Sequence, residues 1–86
     1  MRVERYAITF NNGVSARDMF YYTFVGSEPQ VHSRLRVAAL QHLMERTVLD
    51  SVSDVDAYPV NADRMVIGDS IRIADMLVFD RNQPRA

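Results

Sequence analysis

The sequence predicts a two-layer α+β domain, an antiparallel sheet with one long helix packed on one face. Three observations carry this reading. Residues 2–25 hold two strand-like runs around Asn11-Asn12-Gly13, a turn sequence in which Asn and Gly tolerate positive φ. Ser27-Glu28-Pro29-Gln30 then marks a helix start ahead of the single long helical pattern in the chain. From Val52 onward, β-branched residues broken by Pro, Gly and Asp read as short strands. The order is therefore a β-hairpin, one long helix, then two to three strands, in a single domain over residues 1–81 with a frayed polar tail at 82–86.

The first strand runs from Arg2 to Phe10, with Tyr6, Ile8 and Phe10 on one face and Val3, Arg5, Ala7 and Thr9 on the other. The second runs from about Ala16 to Val25. A two-residue turn would set Tyr6 and Ile8 beside Arg17 and Met19. A three-residue loop, with Gly13 as a left-handed bulge, pairs Phe10 with Val14 and is favoured. It gathers Tyr6, Ile8, Phe10, Val14, Phe20, Tyr22 and Phe24 on one face, and a one-residue slip would undo that segregation.

In the capping box the Ser27 hydroxyl accepts from the Gln30 amide, and Pro29 sits in the first turn, where a missing N–H is no loss. At 100° per residue, Val31, Leu35, Ala38, Ala39 and Leu43 form a core-facing stripe. Val37, Leu40, Met44 and Val48 form a second apolar stripe on the far side. Arg34, Gln41 and Glu45 lie between the two, and the helix is expected to end near Leu49.

Further on, Val52 to Val60 reads as a strand with Val52, Asp54, Asp56 and Tyr58 alternating on one face, and Pro59 restricts it to an edge or a strand end. Arg64 to Ile67 is a short strand and Gly68-Asp69 a tight turn. Ser70 to Asp80 is the last strand, its β-branched run outweighing a short helix from Asp69. Ile71, Ile73, Leu77 and Phe79 share a face that Asp75 interrupts, and a β-bulge turning Asp75 outward resolves the conflict.

Composition narrows the function classes. The 86 residues carry a net charge of −1, contain no Cys, and draw all ten basic residues from Arg. A near-neutral chain lacks the clustered basic surface that nucleic-acid binding uses, so nucleic acid is not the expected partner. The same net charge argues against a strongly acidic DNA mimic. Arg in place of Lys fits either a GC-rich coding sequence or interface chemistry. The start of the chain alternates polar and apolar residues, unlike a secretory signal, and no apolar run approaches a membrane span. A cytoplasmic protein is expected.

No constellation for chemistry emerges. His32 and His42 lack the spacing of a metal pair, and the seven aspartates of residues 50–80 lack EF-hand spacing. Asp54 and Asp56 are expected to be solvated edge charges. Ser27 is committed to the cap, and the three glycines belong to turns or the helix entry. No enzyme, metal or cofactor is expected.

The remaining signal is a surplus of apolar surface. One helix covers one sheet face, yet Met19, Tyr21 and Val25, with Arg5, lie on the other, and Val37, Leu40 and Met44 lie on the outer helix. Leaving roughly two to three hundred Å² of such surface in water forfeits several kcal/mol at about 25 cal/mol per Å², and large exposed patches mark interfaces. The expectation is a protein-binding module, homodimeric or bound to a larger partner, with Arg5, Met19, Tyr21, Val25, Val37, Leu40 and Met44 as interface residues. The alternatives are a structural subunit of a virion or complex, and a single-stranded nucleic-acid platform built on Tyr21, Arg5 and Met19.

A hairpin, a capped helix and further strands in so short a chain are similar in outline to several small phage-encoded inhibitors. Among these are anti-CRISPR proteins and inhibitors of host RNA polymerase or uracil-DNA glycosylase. The resemblance lies in size and element order over most of the chain. It implies a steric function, occupation of a site on a host enzyme or complex in the host cytoplasm.

Overall fold

The computed structural model describes residues 3–12, 17–25 and 31–80. The elements are β1 (Val3–Asn11), β2 (Arg17–Val25), α1 (Val31–Arg46), β3 (Ser51–Pro59) and β4 (Ile71–Val78). The sheet order is β2-β1-β3-β4, with every neighbouring pair antiparallel, and α1 packs across one face. The two-layer α+β class predicted from the sequence is the one observed.

In the hairpin, Ile8 pairs with Phe20, Tyr6 with Tyr22 and Asn11 with Arg17. Phe10 meets Asp18, so the expected three-residue loop is incorrect and positions 12–16 connect the strands. The offset is an even number of residues, and each side chain therefore keeps its predicted face. The longer connection adds little closure entropy, and it sets Phe20 against Ile8 in the core. Gly13 and Val14 lie outside the described residues, as do Ser27 and Gln30 of the capping box.

The covered face is aromatic. Tyr6 stacks on Phe24 with centroids 6.1 Å apart, and Phe10 tilts against Phe20 at 6.5 Å. From the helix, Leu35, Ala38, Ala39 and Leu43 enter this layer, as the stripe predicts, and Val31 packs at its margin. Leu40 departs from the second stripe: it lies about 60° round the helix from Leu43 and packs, partly buried, against the core. Val37 and Met44, at 54% and 43% exposure, do face away. The helix stops at Arg46 rather than near Leu49. The Thr47 amide still donates to the Leu43 carbonyl, but the Thr47 hydroxyl accepts from the Leu49 amide and turns the chain out of the helix.

The strict alternation predicted for β3 fails at one residue. Asp54 adopts a left-handed φ of 52°, and the β1–β3 register shifts between Thr9 and Asn11. Val52, Val55 and Ala57 all reach the core as a result, while Asp56 moves to the opposite face. On β4, across from the irregularity, Asp75 projects into solvent with its side chain 92% exposed, and Ile73, Leu77 and Phe79 stay buried.

Only a single bridge, Val60 to Val66, stands where a strand was predicted at Arg64–Ile67. The Asn61 side-chain carbonyl accepts from the amides of Asp63 and Met65 and closes the turn, while beside the bridge the Asn61 amide donates to the Met65 carbonyl and the Ile67 amide to the Pro59 carbonyl. At Gly68 a Cβ would stand 3.0 Å from the Pro59 ring, so a larger residue there requires the ring to yield by a few tenths of an ångström.

Candidate protein-interaction face

The uncovered sheet face is built by strand register. Tyr21, Ala7 and Tyr58 form one row across β2, β1 and β3, and Met19, Thr9, Asp56 and Arg72 form the next across all four strands. Ala7 is buried between its two tyrosine neighbours despite lying on this face. Val3 and Val25 pair at one end and are exposed, as are Met76 and Val78 on β4.

Its centre is charged, which the sequence reading did not anticipate. Arg72 donates to Asp56 at 2.6 Å, to Asp75 at 2.9 Å and to Asp54 at 3.3 Å. From the other side Arg17 reaches Asp56 at 3.2 Å, the Thr9 hydroxyl at 2.7 Å and the Asp54 carbonyl at 2.7 Å. Asp54 and Asp56 were expected as mutually repelling edge charges. That is corrected: β3 is an inner strand, and the Asp56 side chain, 15% exposed, is shared between two guanidiniums. The hydrogen bonds that Arg72 donates to Asp56 and then Asp75 raise its pKa further, so its charge is permanent. Among the described residues no group of three or more His, Asp or Glu side chains is arranged to hold a metal ion.

Beside this cluster, the Asn61 turn carries Arg64 at a left-handed φ of 64° and lays its guanidinium 4.3 Å from the centroid of Tyr21. Arg5, Tyr21, Thr23, Asn61 and Arg64 line a shallow open cleft of about 210 Å³. Of the residues expected at an interface, Arg5, Met19, Tyr21 and Val25 come together here on the β1–β2 half of the face. Val37 and Met44 lie on the other layer, on the side of α1 turned from the sheet, so one flat surface cannot engage both groups. Arg64, Arg17, Arg72 and Asp56 are the additions. The sequence does contain Asn61, a strong turn former, but nothing in it shows that this turn folds back over Tyr21.

Both histidines are engaged with the scaffold. His42 stacks on Phe20 at 3.8 Å, and His32 donates from Nε2 to the Arg72 carbonyl at 2.7 Å. Burial, and next the neighbouring Arg46, lower the His42 pKa below its usual value.

Comparison with protein-family models, characterised proteins and solved structures found no match. No helix among the described residues is long and apolar enough to cross a membrane.

Proposed function

We propose that this chain is a small non-enzymatic protein-binding module that acts by steric occlusion, using the β1–β2 half of its uncovered sheet face. The observation that carries the reading is the exposed set Met19, Tyr21 and Val25, flanked by Arg5 and Arg64 around the shallow cleft. Aromatic, Met and Arg side chains are the types enriched at protein interfaces. The ion-paired cluster beyond them supplies a polar rim. By its outline likeness to phage-encoded inhibitors, the reading extends to a host enzyme or complex in the host cytoplasm as the target.

The setting of Tyr21 also favours this reading over the nucleic-acid alternative. A base stacks on a bare ring face, and here Arg64 covers one face of the ring while Asp54, Asp56 and Asp75 lie on the same side of the sheet. Affinity capture from host extract tests the proposal with three immobilised chains: wild type, Tyr21→Ala and Asp75→Asn. A host protein retained by wild type and Asp75→Asn but released by Tyr21→Ala is the expected result. Retention by all three chains, or salt-sensitive capture of single-stranded oligonucleotide in place of protein, overturns it.

A further inference from the structure

The two edges of the sheet are unlike. On β4, Arg72 and Asp75 and a register break opposite Val55 and Asp56 guard the strand against pairing with another chain. On β2 the charged residues, Arg17 and Asp18, are confined to one end of the strand. It runs unbroken beside β1 over nine residues, and Met19 to Val25 contains neither charge nor proline. No described strand pairs with its outer side. Above this edge, Phe20, Tyr22, Ala38, Gln41, His42 and Glu45 line an open groove between β2 and α1.

Two side-chain contacts tie the helix to this strand. His42 sits on Phe20, and the Arg34 guanidinium lies 4.6 Å from the centroid of Phe24. His32, by contrast, reaches the Arg72 carbonyl on β4 at the other edge, so α1 crosses the sheet rather than running along β2. Above β2, Arg34 marks the Phe24 end, and Glu45 lines the groove with Phe20 toward the other. Tyr21 is the midpoint of β2.

We infer that two copies of this chain join β2 to β2, antiparallel, about a two-fold axis at Tyr21, forming a continuous eight-stranded sheet with both helices on one side. This register uses all of β2. It pairs Phe20 with Tyr22 of the second copy and Asp18 with Phe24 of the second copy. Every even-numbered side chain stays on the helix side, as a two-fold pairing of like faces requires. Arg34, poised over Phe24, then faces Asp18 and Glu45 of the second copy, and the axis repeats the arrangement. Arg46 lines the same groove and pairs with Glu45 at 3.2 Å, so each end of the seam sets Arg34 and Arg46 against Asp18 and Glu45, two cations with two carboxylates. The dimer is held by the strand edge and the groove, and on the uncovered face it sets Tyr21 beside Tyr21 of the second copy, so that the two occlusion faces adjoin; a dimer without partner capture, or capture by a monomer, distinguishes the two proposals.

Light scattering coupled to size exclusion, at about 100 μM, is expected to give about 20 kDa, twice the 9.9 kDa chain. A monomer mass overturns the inference. The register is tested by charge exchange. Arg34→Glu alone sets three acids against one remaining cation, Arg46, and Asp18→Arg with Glu45→Arg sets four cations together. Each variant is expected to weaken self-association at least about tenfold, because like charges meet across the seam. An equimolar mixture of the two restores a dimer containing one chain of each. Circular dichroism confirms that each variant is folded. Dimers that ignore these substitutions, or a mixture that stays monomeric, overturn the proposed pairing.

Discussion

The imidazole of His42 lies flat on the ring of Phe20, centroids 3.8 Å apart and planes 7° apart, tying α1 to the edge strand β2. The ring occupies the margin of the core, where burial disfavours its charged form and Arg46 adds repulsion against it. The folded state therefore holds the His42 proton less tightly than the unfolded chain does.

The sign of the pH effect follows. With the folded pKa below the unfolded value of about 6.5, the unfolded state binds more protons in the window beneath that value. The contribution is fully present above pH about 6.5 and is lost as the pH falls through the unfolded pKa toward the folded one. Urea midpoints measured from pH 7.5 to 5 should fall with acidification, and His42→Phe should flatten the slope. An unchanged slope in that variant would show that other groups carry the pH dependence.

Arg17 and Arg72 both bind Asp56, whereas Asp75 meets Arg72 from open solvent. Removing the Asp56 charge leaves two guanidiniums facing each other across an inner strand. Asp56→Asn should cost about 1–3 kcal/mol, the range for a charged hydrogen-bond partner in a largely enclosed site. Asp75→Asn should stay within about 0.5 kcal/mol, as most exposed substitutions do. Chemical denaturation of the two variants side by side tests the contrast; equal losses would remove Asp56 from the centre of the network.

How much of this was legible in the sequence depends on the range of the interaction. Period-two alternation in β1 and β2 and the 100° stripe of α1 are local, so Ile8, Phe20, Phe24, Leu35 and Leu43 were placed correctly in the core. The hairpin offset was not legible, because Phe10 with Val14 and Phe10 with Asp18 give the same faces and differ only in what lies beneath the helix. Asp54 was misread for a related reason. Alternation assumes extended backbone at every residue, and one left-handed residue reverses the faces on either side of it. The β1–β2 part of the uncovered face was legible as apolar surplus. Its charged centre was not, since Arg17, Asp56 and Arg72 meet only through tertiary pairing.

Arg64 and Tyr21 supply a third measurable coupling. The guanidinium lies at cation–π distance from an exposed ring, where such pairs contribute about 0.5–1 kcal/mol. A double-mutant cycle with Tyr21→Leu and Arg64→Met should return a coupling of that size by thermal or urea unfolding. A coupling of zero would mean that the Asn61 turn holds its place without the ring.

The backbone at Asp54 offers the most direct test of the fold. Its φ of 52° costs a residue with a Cβ roughly 1–2 kcal/mol relative to right-handed geometry, and Asp tolerates it better than Ala or Val because a short polar side chain can bond locally. Gly removes the steric cost, though it adds some freedom to the unfolded chain. The Asp54 carboxylate pairs with Arg72 at 3.3 Å, with both side chains 48% exposed, and such exposed pairs contribute about 0–1 kcal/mol. Asp54→Gly should therefore leave stability within about 1 kcal/mol of wild type, while Asp54→Ala and Asp54→Val lose the ion pair and keep the strain. The expected order of urea midpoints is Gly above Ala above Val. If Val matched Gly, residue 54 would have to be extended, and Val52 and Val55 could not both face the helix.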